Sequence, residues 1–500
     1  MGPIFLSILM LAAKPTTLIQ GGSVIDGTGA PRRLADVRIE GDKIIAVGHL
    51  KPKRGENVIS AKGMVVAPGF IDAHSHVDGW LLQDPTAESQ IRQGITTSVI
   101  GQDGGSGFPI KQMFNRYTAK HVALNIASYA GHGTIRAQVM GKDYKRPTTP
   151  AELKKMETLL ATEVHNGALG LSSGLEYEPG RFSTTSELVA LGKVAGAHGG
   201  IYISHMRNED NDVLKAIDEL FIIAREGHLS AQVSHIKIGS ARVWGKAPEI
   251  LSKMEAAQKQ GIYITADVYP YTYWQSTIRV LIETQDYGDR KQWEQGLKDI
   301  GGPSHVLLGE YKPNPDWKGK TLAEIADMTG KDAVTICQEV VTETSKPEFK
   351  NGEEVVVSAM SEDDLAKFIA SPRIMFCTDG QRGGAHPRYA GSFPRILGLY
   401  VRQKHLISLE EAIRKMSGFP AHRLGFSHRG EIKPGYKADI VVFDPSTVID
   451  TATTKQPEAP PIGIPTVFIN GEAVLLNGKK TGKTPGQVIL RSKRLGKPAY

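Results

Sequence analysis

Residues 64–80 read MVVAPGFIDAHSHVDGW, and this stretch decides the fold. An apolar run leads into two histidines, His74 and His76, that are separated by one residue. In a β-strand, side chains two residues apart share a face and lie roughly 7 Å apart along the strand. The sequence therefore predicts a buried strand that presents two imidazoles at its end, which is half of a metal site.

The same pattern, a short apolar strand followed by polar residues, recurs along the chain. The predicted strands cover residues 70–71, 98–100, 122–129, 168–171, 200–203, 231–233, 262–266 and 373–376. Helical segments lie between several of them, at residues 150–165, 186–197, 212–226 and 246–260. This alternation predicts an α/β fold, a (β/α)8 TIM-like barrel over residues 70–423. The long gap before the last strand predicts an insertion near residues 283–344.

Both ends of the chain show a different pattern, which is typical of antiparallel strands. Residues 37–48 predict a hairpin that turns at Gly41-Asp42, and residues 467–475 predict one that turns at Asn470-Gly471. Chain termini commonly lie close together in a domain. We therefore expect residues 16–69 and 424–482 to form one small β-sandwich domain.

The length of 500 residues exceeds what one simple core holds, which favours one large domain with an appended one. A hydrophobic share of 40% and a charged share of 23% are ordinary for a globular protein. The formal charge of +7 is spread along the chain, apart from a basic tail at residues 483–500. We interpret this tail as a solvated end and expect no nucleic-acid partner. The sequence leaves open whether the protein forms a homo-oligomer.

The N-terminal residues 1–15 contain an apolar run, PIFLSILMLAA, of the length of a signal peptide. The run is too short to span a membrane, and it lacks a basic segment in front of it. It favours an exported or periplasmic protein, with a cytoplasmic protein as the alternative. The two cysteines, Cys337 and Cys377, are too few for a disulfide framework and leave the compartment open.

Residues that can bind a metal stand at or just after the ends of five predicted strands. They are His74, His76, Asp103, His205, His235 and Asp379. Because a barrel brings the C-terminal ends of its strands to one rim, four imidazoles and two carboxylates should converge there. The sequence therefore predicts a metal site. For Asp103 a second interpretation stays open, in which its carboxylate only caps a glycine-rich turn.

The chain resembles the amidohydrolase superfamily, and within it the D-aminoacylases, which are N-acyl-D-amino-acid deacylases. The matching stretches are APGFIDAHSH, GHGTIRAQVMG, GALGLSSGLEYEPG, YISHMRNE, VSHIKIG, DVYPY, CTDG, HPRYAGSFPRILG and RGEIKPGYKADIVVFDP. They fall between Thr17 and Asn477, nearly the whole chain. The resemblance implies a Zn²⁺ enzyme with one or two ions, other divalent metals being possible, that cleaves N-acyl-D-amino acids into a carboxylic acid and a D-amino acid.

The family's ligands can be placed residue by residue. The resemblance implies a His-x-His pair at His74 and His76, the tight zinc site at His205 and His235, and the general base and acid at Asp379. The chain departs from the family at Asp103, where the family has a cysteine in a Gly-Asn-Cys-Gly stretch. A carboxylate is a harder ligand than a thiolate, so we expect weaker selectivity for Zn²⁺ and better occupancy of a second ion.

Three residues are candidates for binding the substrate. Arg388, in the stretch His-Pro-Arg, matches a family residue that binds the α-carboxylate, and a guanidinium suits a carboxylate because it can donate two parallel hydrogen bonds. Lys237 stands two residues after His235 and should point to the same face, although a surface lysine is the alternative interpretation. Tyr177 could add a hydroxyl.

The mechanism follows from these groups. A bound metal lowers the pKa of water and polarises the scissile carbonyl, and Asp379 takes the proton and passes it to the leaving amine. Two alternative functions on the same scaffold are those of a dipeptidase and of a cyclic-amide hydrolase of the hydantoinase type. A third is a noncatalytic scaffold, which would be expected to have lost ligands. Selectivity for D-amino acids is implied by the resemblance alone.

Overall fold

The computed structural model describes residues 16–490. The predicted leader, residues 1–15, and the last part of the predicted basic tail, residues 491–500, lie outside the described residues. The strands in chain order are β1 (Thr16–Val24), β2 (Arg33–Glu40), β3 (Lys43–Gly48), β4 (Asn57–Ser60), β5 (Val65–Pro68), β6 (Phe70–Asp72), β7 (Ile95–Ile100), β8 (Asn125–Ser128), β9 (Ala130–Gly131), β10 (Gly170–Gly174), β11 (Ile201–His205), β12 (Ala231–Val233), β13 (Ile264–Val268), β14 (Trp274–Ser276), β15 (Val306–Tyr311), β16 (Glu353–Val357), β17 (Ile374–Phe376), β18 (Ile440–Phe443), β19 (Thr466–Ile469), β20 (Glu472–Leu476) and β21 (Lys479–Lys480).

The helices alternate with the middle strands. They are α1 (Glu88–Arg92), α2 (Ile110–Lys120), α3 (His132–Met140), α4 (Pro150–His165), α5 (Thr185–Ala197), α6 (Val213–Glu226), α7 (Ala247–Lys259), α8 (Arg290–Asp299), α9 (Leu322–Thr329), α10 (Ala333–Thr344), α11 (Glu362–Ala370), α12 (Arg388–Arg395), α13 (Leu409–Met416) and α14 (Gly418–Leu424). Helix α4 has its predicted bounds, because Thr149 and Glu152 form a capping box and Pro150 suits the first helical position. Among the described residues, no helix combines the length and apolar character needed to cross a membrane.

Strands from the two ends of the chain share one nine-stranded sheet, in which β18 pairs antiparallel with β5. The two predicted hairpins, β2–β3 and β19–β20, turn where the sequence indicated. At the second turn, Asn470 and Gly471 have φ angles of 48° and 81°. A tight hairpin turn requires such left-handed backbone, which asparagine and glycine adopt at the least cost.

The parallel strands form two sheets, one of six strands (β9, β10, β11, β12, β13 and β17) and one of three (β6, β7 and β8). The sheets are hydrogen-bonded to each other at both margins. At one margin the amide of Leu169, directly before β10, donates to the carbonyl of Ser128 at the end of β8 at 2.8 Å. At the other the amide of Asp379 donates to the carbonyl of His74 at 2.9 Å, and the Asp72 carboxylate accepts from the Thr378 amide at 2.8 Å.

The parallel strands are buried on both faces, as expected where helices cover such a sheet. Between β13 and β17 the chain forms a separate three-stranded sheet, in the order β14, β16, β15. A second apolar cluster packs around this sheet and includes Trp293, Tyr311 and Val355. This segment therefore has a core of its own, beside the parallel strands.

Candidate metal centre

The C-terminal ends of the parallel strands carry all six predicted ligands. His205 is the last residue of β11, and the other five follow the strands β6, β7, β12 and β17 by two to four residues. Three of the six have left-handed backbone: Asp103 (φ 52°), His235 (φ 30°) and Asp379 (φ 48°). Such conformations are uncommon for residues with a side chain and cluster at functional sites. The turns after the strands therefore hold these three residues in a backbone conformation that residues with a side chain rarely adopt.

The first group of ligand atoms contains His74, His76, Asp103 and Asp379, whose ligand atoms all lie within 4.8 Å of one another. The Oδ2 atom of Asp103 lies 3.3 Å from Nε2 of His74 and 3.2 Å from Nε2 of His76. The Oδ1 atom of Asp379 lies 3.1 Å from the same nitrogen of His76. Two imidazoles and two carboxylates thus face one point.

The second group contains Asp103, His205 and His235. Nδ1 of His205 lies 3.0 Å from Nε2 of His235, and that Nε2 atom lies 3.6 Å from Oδ1 of Asp103. The two oxygens of Asp103 therefore face different groups. A carboxylate in this position can bridge two cations, which a turn-capping role does not explain.

The unsatisfied polar atoms of the site fit a divalent cation. Among the described residues, neither ring nitrogen of the buried His74 has a hydrogen-bond partner, and the same holds for Oδ1 of Asp103. An unsatisfied buried polar atom costs about 1–3 kcal/mol, so a chain rarely keeps three of them together without a ligand. Imidazole nitrogens and carboxylate oxygens are ligands of Zn²⁺ and related ions.

The electrostatics of the site also favour a cation. Burial alone would raise the pKa of Asp103, but the facing His74 and His235 hold it well below its usual range. Burial would likewise raise the pKa of Asp379, but Arg388 and His235 hold it well below its usual range. Burial lowers the pKa of His235, whereas Glu209 and other carboxylates raise it to about 10. Both carboxylates are therefore ionised, and a cation that binds must displace a proton from His235.

Further carboxylates stand behind the imidazoles, and sequence reasoning missed all of them. Glu176 Oε2 lies 2.9 Å from Nε2 of His205, and Glu209 Oε1 lies 3.3 Å from Nδ1 of His235. Asp267 Oδ1 lies 3.6 Å from Nδ1 of His74. Such partners fix which ring nitrogen faces a metal. Only Asp267 carried a usable signal, because it lies near the end of a predicted strand in the stretch DVYPY.

The predicted substrate residues lie in the same cavity of about 780 Å³, which His76 and Asp379 also line. Lys237 is buried and forms an ion pair with Glu209, so the alternative interpretation as a surface lysine is wrong. Arg388 is buried and pairs with Oδ2 of Asp379. The two cations flank the ring of Tyr269, at 5.9 Å for Lys237 and 4.8 Å for Arg388.

Tyr177 lies beside the second group of ligand atoms. Its ring centroid is 4.5 Å from that of His205, and the two planes are inclined at 45°. Burial, followed by the charge of Glu176, raises the pKa of Tyr177 well above its usual value. The phenol therefore stays protonated and is able to donate a hydrogen bond into the cavity.

Imidazoles and carboxylates at the C-terminal ends of parallel strands define a class of metal-dependent hydrolases with an α/β fold. The model of the Amidohydrolase family matches residues 65–474. The N-acyl-D-glutamate deacylase of Alcaligenes xylosoxydans xylosoxydans is 34% identical over 97% of this chain and 99% of that protein. The chain belongs to the amidohydrolase family, and within it to the D-aminoacylases, as the sequence resemblance predicted.

Two solved structures are similar over nearly the full length. A crystal structure of D-aminoacylase has a TM-score of 0.84 and 34% identity, covering 95% of this chain and 99% of that chain. N-acyl-D-glutamate deacylase from Bordetella bronchiseptica, in complex with zinc and a phosphonate mimic of the tetrahedral intermediate, has a TM-score of 0.85. It is 32% identical and covers 96% of this chain and 100% of its own.

Proposed function

We propose that this protein hydrolyses the amide bond of N-acyl-D-amino acids and releases a carboxylic acid and a D-amino acid. The observation that carries this proposal is the grouping of four imidazoles and two carboxylates beside one cavity, which two buried cations also line. The relatives support the choice of substrate, since one is named for N-acyl-D-glutamate and another holds a mimic of a tetrahedral intermediate.

The cofactor in this proposal is Zn²⁺, with one or two ions. His74, His76 and Asp379 would hold one ion, His205 and His235 the other, and Asp103 would reach both. A bound divalent ion lowers the pKa of water and polarises the scissile carbonyl. The zinc in the Bordetella bronchiseptica structure supports this ion, while the carboxylate of Asp103 also suits harder divalent metals.

Asp379 is the proposed general base and acid. It takes a proton from the attacking water and delivers it to the leaving amine. Its left-handed backbone, with φ at 48°, and the hydrogen bond that its backbone amide donates to the carbonyl of His74 hold the carboxylate beside His76. The proton transfer therefore occurs at a carboxylate whose position does not depend on the substrate.

Arg388, Lys237 and Tyr177 are the proposed substrate residues. In the free protein each cation is paired with a carboxylate, Arg388 with Asp379 and Lys237 with Glu209. A substrate α-carboxylate offers both cations a second anion in the same cavity. A buried charge without a partner is costly, so these existing pairs keep both cations ionised until the substrate arrives.

We further propose that the two parallel sheets close into one (β/α)8 barrel over residues 70–423, with an insertion near residues 283–344. The hydrogen bonds at both sheet margins support closure. The strands of the two chain ends, within residues 16–69 and 424–482, are proposed to form a β-sandwich, which their shared sheet supports. The apolar segment at residues 1–15 supports an exported or periplasmic location, with the cytoplasm as the alternative, and cell fractionation tests this.

A substrate panel tests the proposed function. The zinc-loaded protein is assayed on N-acetyl-D- and N-acetyl-L-amino acids, dipeptides and hydantoins, with Asp379→Ala as the control. We expect hydrolysis of the N-acetyl-D-amino acids and its loss in the variant. Hydrolysis of L-dipeptides or hydantoins alone would favour the dipeptidase or hydantoinase-like alternative. An inert protein that Asp379→Ala leaves unchanged would favour the noncatalytic scaffold.

A further inference from the structure

His386 is a buried histidine whose two ring nitrogens both have backbone partners. Its Nδ1 atom accepts a hydrogen bond from the amide of Arg388 at 3.0 Å. Its Nε2 atom lies 3.0 Å from the carbonyl oxygen of Tyr273, to which it donates. An amide can only donate and a carbonyl can only accept, so these partners assign the neutral tautomer with the proton on Nε2.

Three tyrosines enclose this imidazole. The ring centroids of Tyr269, Tyr271 and Tyr273 lie 5.6, 5.5 and 6.0 Å from that of His386, all at steep interplanar angles. Edge-to-face contacts of this kind are favourable and orient the ring. Burial and the charge of Arg388 hold the pKa of His386 well below its usual range. The imidazole therefore stays uncharged beside the guanidinium.

Arg388 is the first residue of helix α12, where backbone amides lack partners within the helix. The preceding residue, Pro387, provides no side-chain cap. His386 takes that role, because its Nδ1 atom accepts from the Arg388 amide. The same residue is tied through Tyr273 to the segment before β14, so the start of α12 is fixed relative to the cavity wall.

We propose that His386 is a positioning residue, which fixes the start of helix α12 and thereby holds the Arg388 guanidinium at the carboxylate-binding end of the cavity. This inference rests on the proposed function, in which Arg388 binds the substrate α-carboxylate. His386 itself touches neither of the two ligand groups and takes no part in the proton transfer. Its role is to orient the Arg388 guanidinium.

Two substitutions separate this role from plain packing. His386→Asn keeps an acceptor oxygen close to the backbone, near the position of Nδ1, whereas His386→Leu keeps the bulk and loses both hydrogen bonds. With N-acetyl-D-leucine as substrate, we expect His386→Leu to raise KM about tenfold with kcat nearly unchanged, and His386→Asn to recover most of the loss. His305→Leu removes a comparable hydrogen bond, to the carbonyl of Ser358 after β16, and should leave KM unchanged.

Crystal structures of the two His386 variants give a readout that does not depend on activity. We expect the Arg388 guanidinium to leave Asp379 in His386→Leu and to stay in His386→Asn. The inference is overturned if Arg388 keeps its place in His386→Leu, or if the two variants change KM equally. If the wild-type protein hydrolyses no N-acyl-D-amino acid, the proposed function fails, while the position of Arg388 in the two structures still decides this inference.

Discussion

The Oδ1 atom of Asp103 lies 3.6 Å from Nε2 of His235. The second oxygen of the same carboxylate faces the other group, 3.2 Å from Nε2 of His76. One side chain thus contributes to two sets of ligand atoms, each of which also contains histidines from other strands. The loss of this one carboxylate should therefore affect both sets.

Replacement of Asp103 by alanine should lower the affinity for metal at both groups by at least about tenfold, since even a residue that only supports a ligand contributes this much. Inductively coupled plasma mass spectrometry of the purified variant measures the metal content. Asp218→Ala is the matched control, because Asp218 is an exposed carboxylate on helix α6 that pairs, among the described residues, only with Lys253. Unchanged metal content in Asp103→Ala would favour the interpretation of this residue as a turn cap.

Asp379→Asn should lower kcat by about 10²- to 10⁴-fold, because an amide cannot accept the proton that general base catalysis moves. The substitution keeps the size of the side chain, and steady-state kinetics measure the effect. Metal content is measured on the same sample, since Oδ1 of Asp379 also faces His76. A variant that retains its metal and its full kcat would exclude Asp379 as the base.

Removal of the metal should lower stability as well as activity. Without a cation, the imidazoles and carboxylates of the two groups are held together with unsatisfied atoms, such as both ring nitrogens of His74. A ligand that binds only the folded state at 1,000 times its Kd adds about 4 kcal/mol of stability. Calorimetry with and without a chelator should show a lower Tm, restored by Zn²⁺. An unchanged Tm would mean that the site is empty or is not built around a metal.

Local patterns explain what the sequence could predict. The strand β12 (Ala231–Val233) and the helix α4 (Pro150–His165) have their predicted bounds, because apolar runs and capping residues act over a few positions. The grouping of the six candidate ligands was also predictable, since each stands at or just after the end of a strand and parallel strands bring their ends together. These inferences need no knowledge of long-range contacts.

The carboxylates behind the ligands were not predictable for the opposite reason. Glu209 and Glu176 lie in loops after different strands, where a glutamate is usually a solvated side chain. Their contacts with His235 and His205 appear only when those loops meet in three dimensions. The same holds for the pairing of Lys237 with Glu209, which no local pattern encodes.

Lys415 should make stability depend on pH. It is fully buried, its Nζ atom donates to the carbonyl of Ser371 at 2.7 Å, and burial lowers its pKa to about 7. An unfolded chain has a lysine pKa of about 10.4. Between these values the unfolded chain keeps a proton that the folded chain has lost, so the free energy of unfolding should rise with pH.

Denaturant titrations at several pH values measure this slope, which should approach about 1.4 kcal/mol per pH unit for one lysine. Lys415→Met should flatten it. Lys367→Met, at an exposed lysine on helix α11, serves as the control and should leave the slope unchanged. If the Lys415→Met and wild-type slopes agree, the lysine is charged in the folded protein, and its hydrogen bonds to the carbonyls of Ile369 and Ser371 offset the effect of burial.

The charges in the cavity wall should select the side chain of the substrate. Asp78, Asp210 and Glu354 line the cavity and have no ion-pair partner within residues 16–490. Outside the Arg388 and Lys237 pairs, the lysines and arginines of the wall are Lys312 and Arg382, both of which are exposed. A negatively charged side chain would therefore meet like charges. We expect kcat/KM for N-acetyl-D-glutamate to be at least about tenfold below that for N-acetyl-D-methionine.

Asp210 tests the origin of this discrimination. Burial and the neighbouring Glu176 raise the pKa of Asp210 to about 6, so the carboxylate is ionised in an assay at about pH 8. Asp210→Asn should then raise kcat/KM for the glutamate substrate and leave the methionine substrate unchanged. Asp212→Asn, two residues away and paired with Lys215 outside the cavity, should change neither. Equal rates for the two substrates in the wild-type protein would show that solvent screens the wall, and that the side chain is selected by shape rather than by charge.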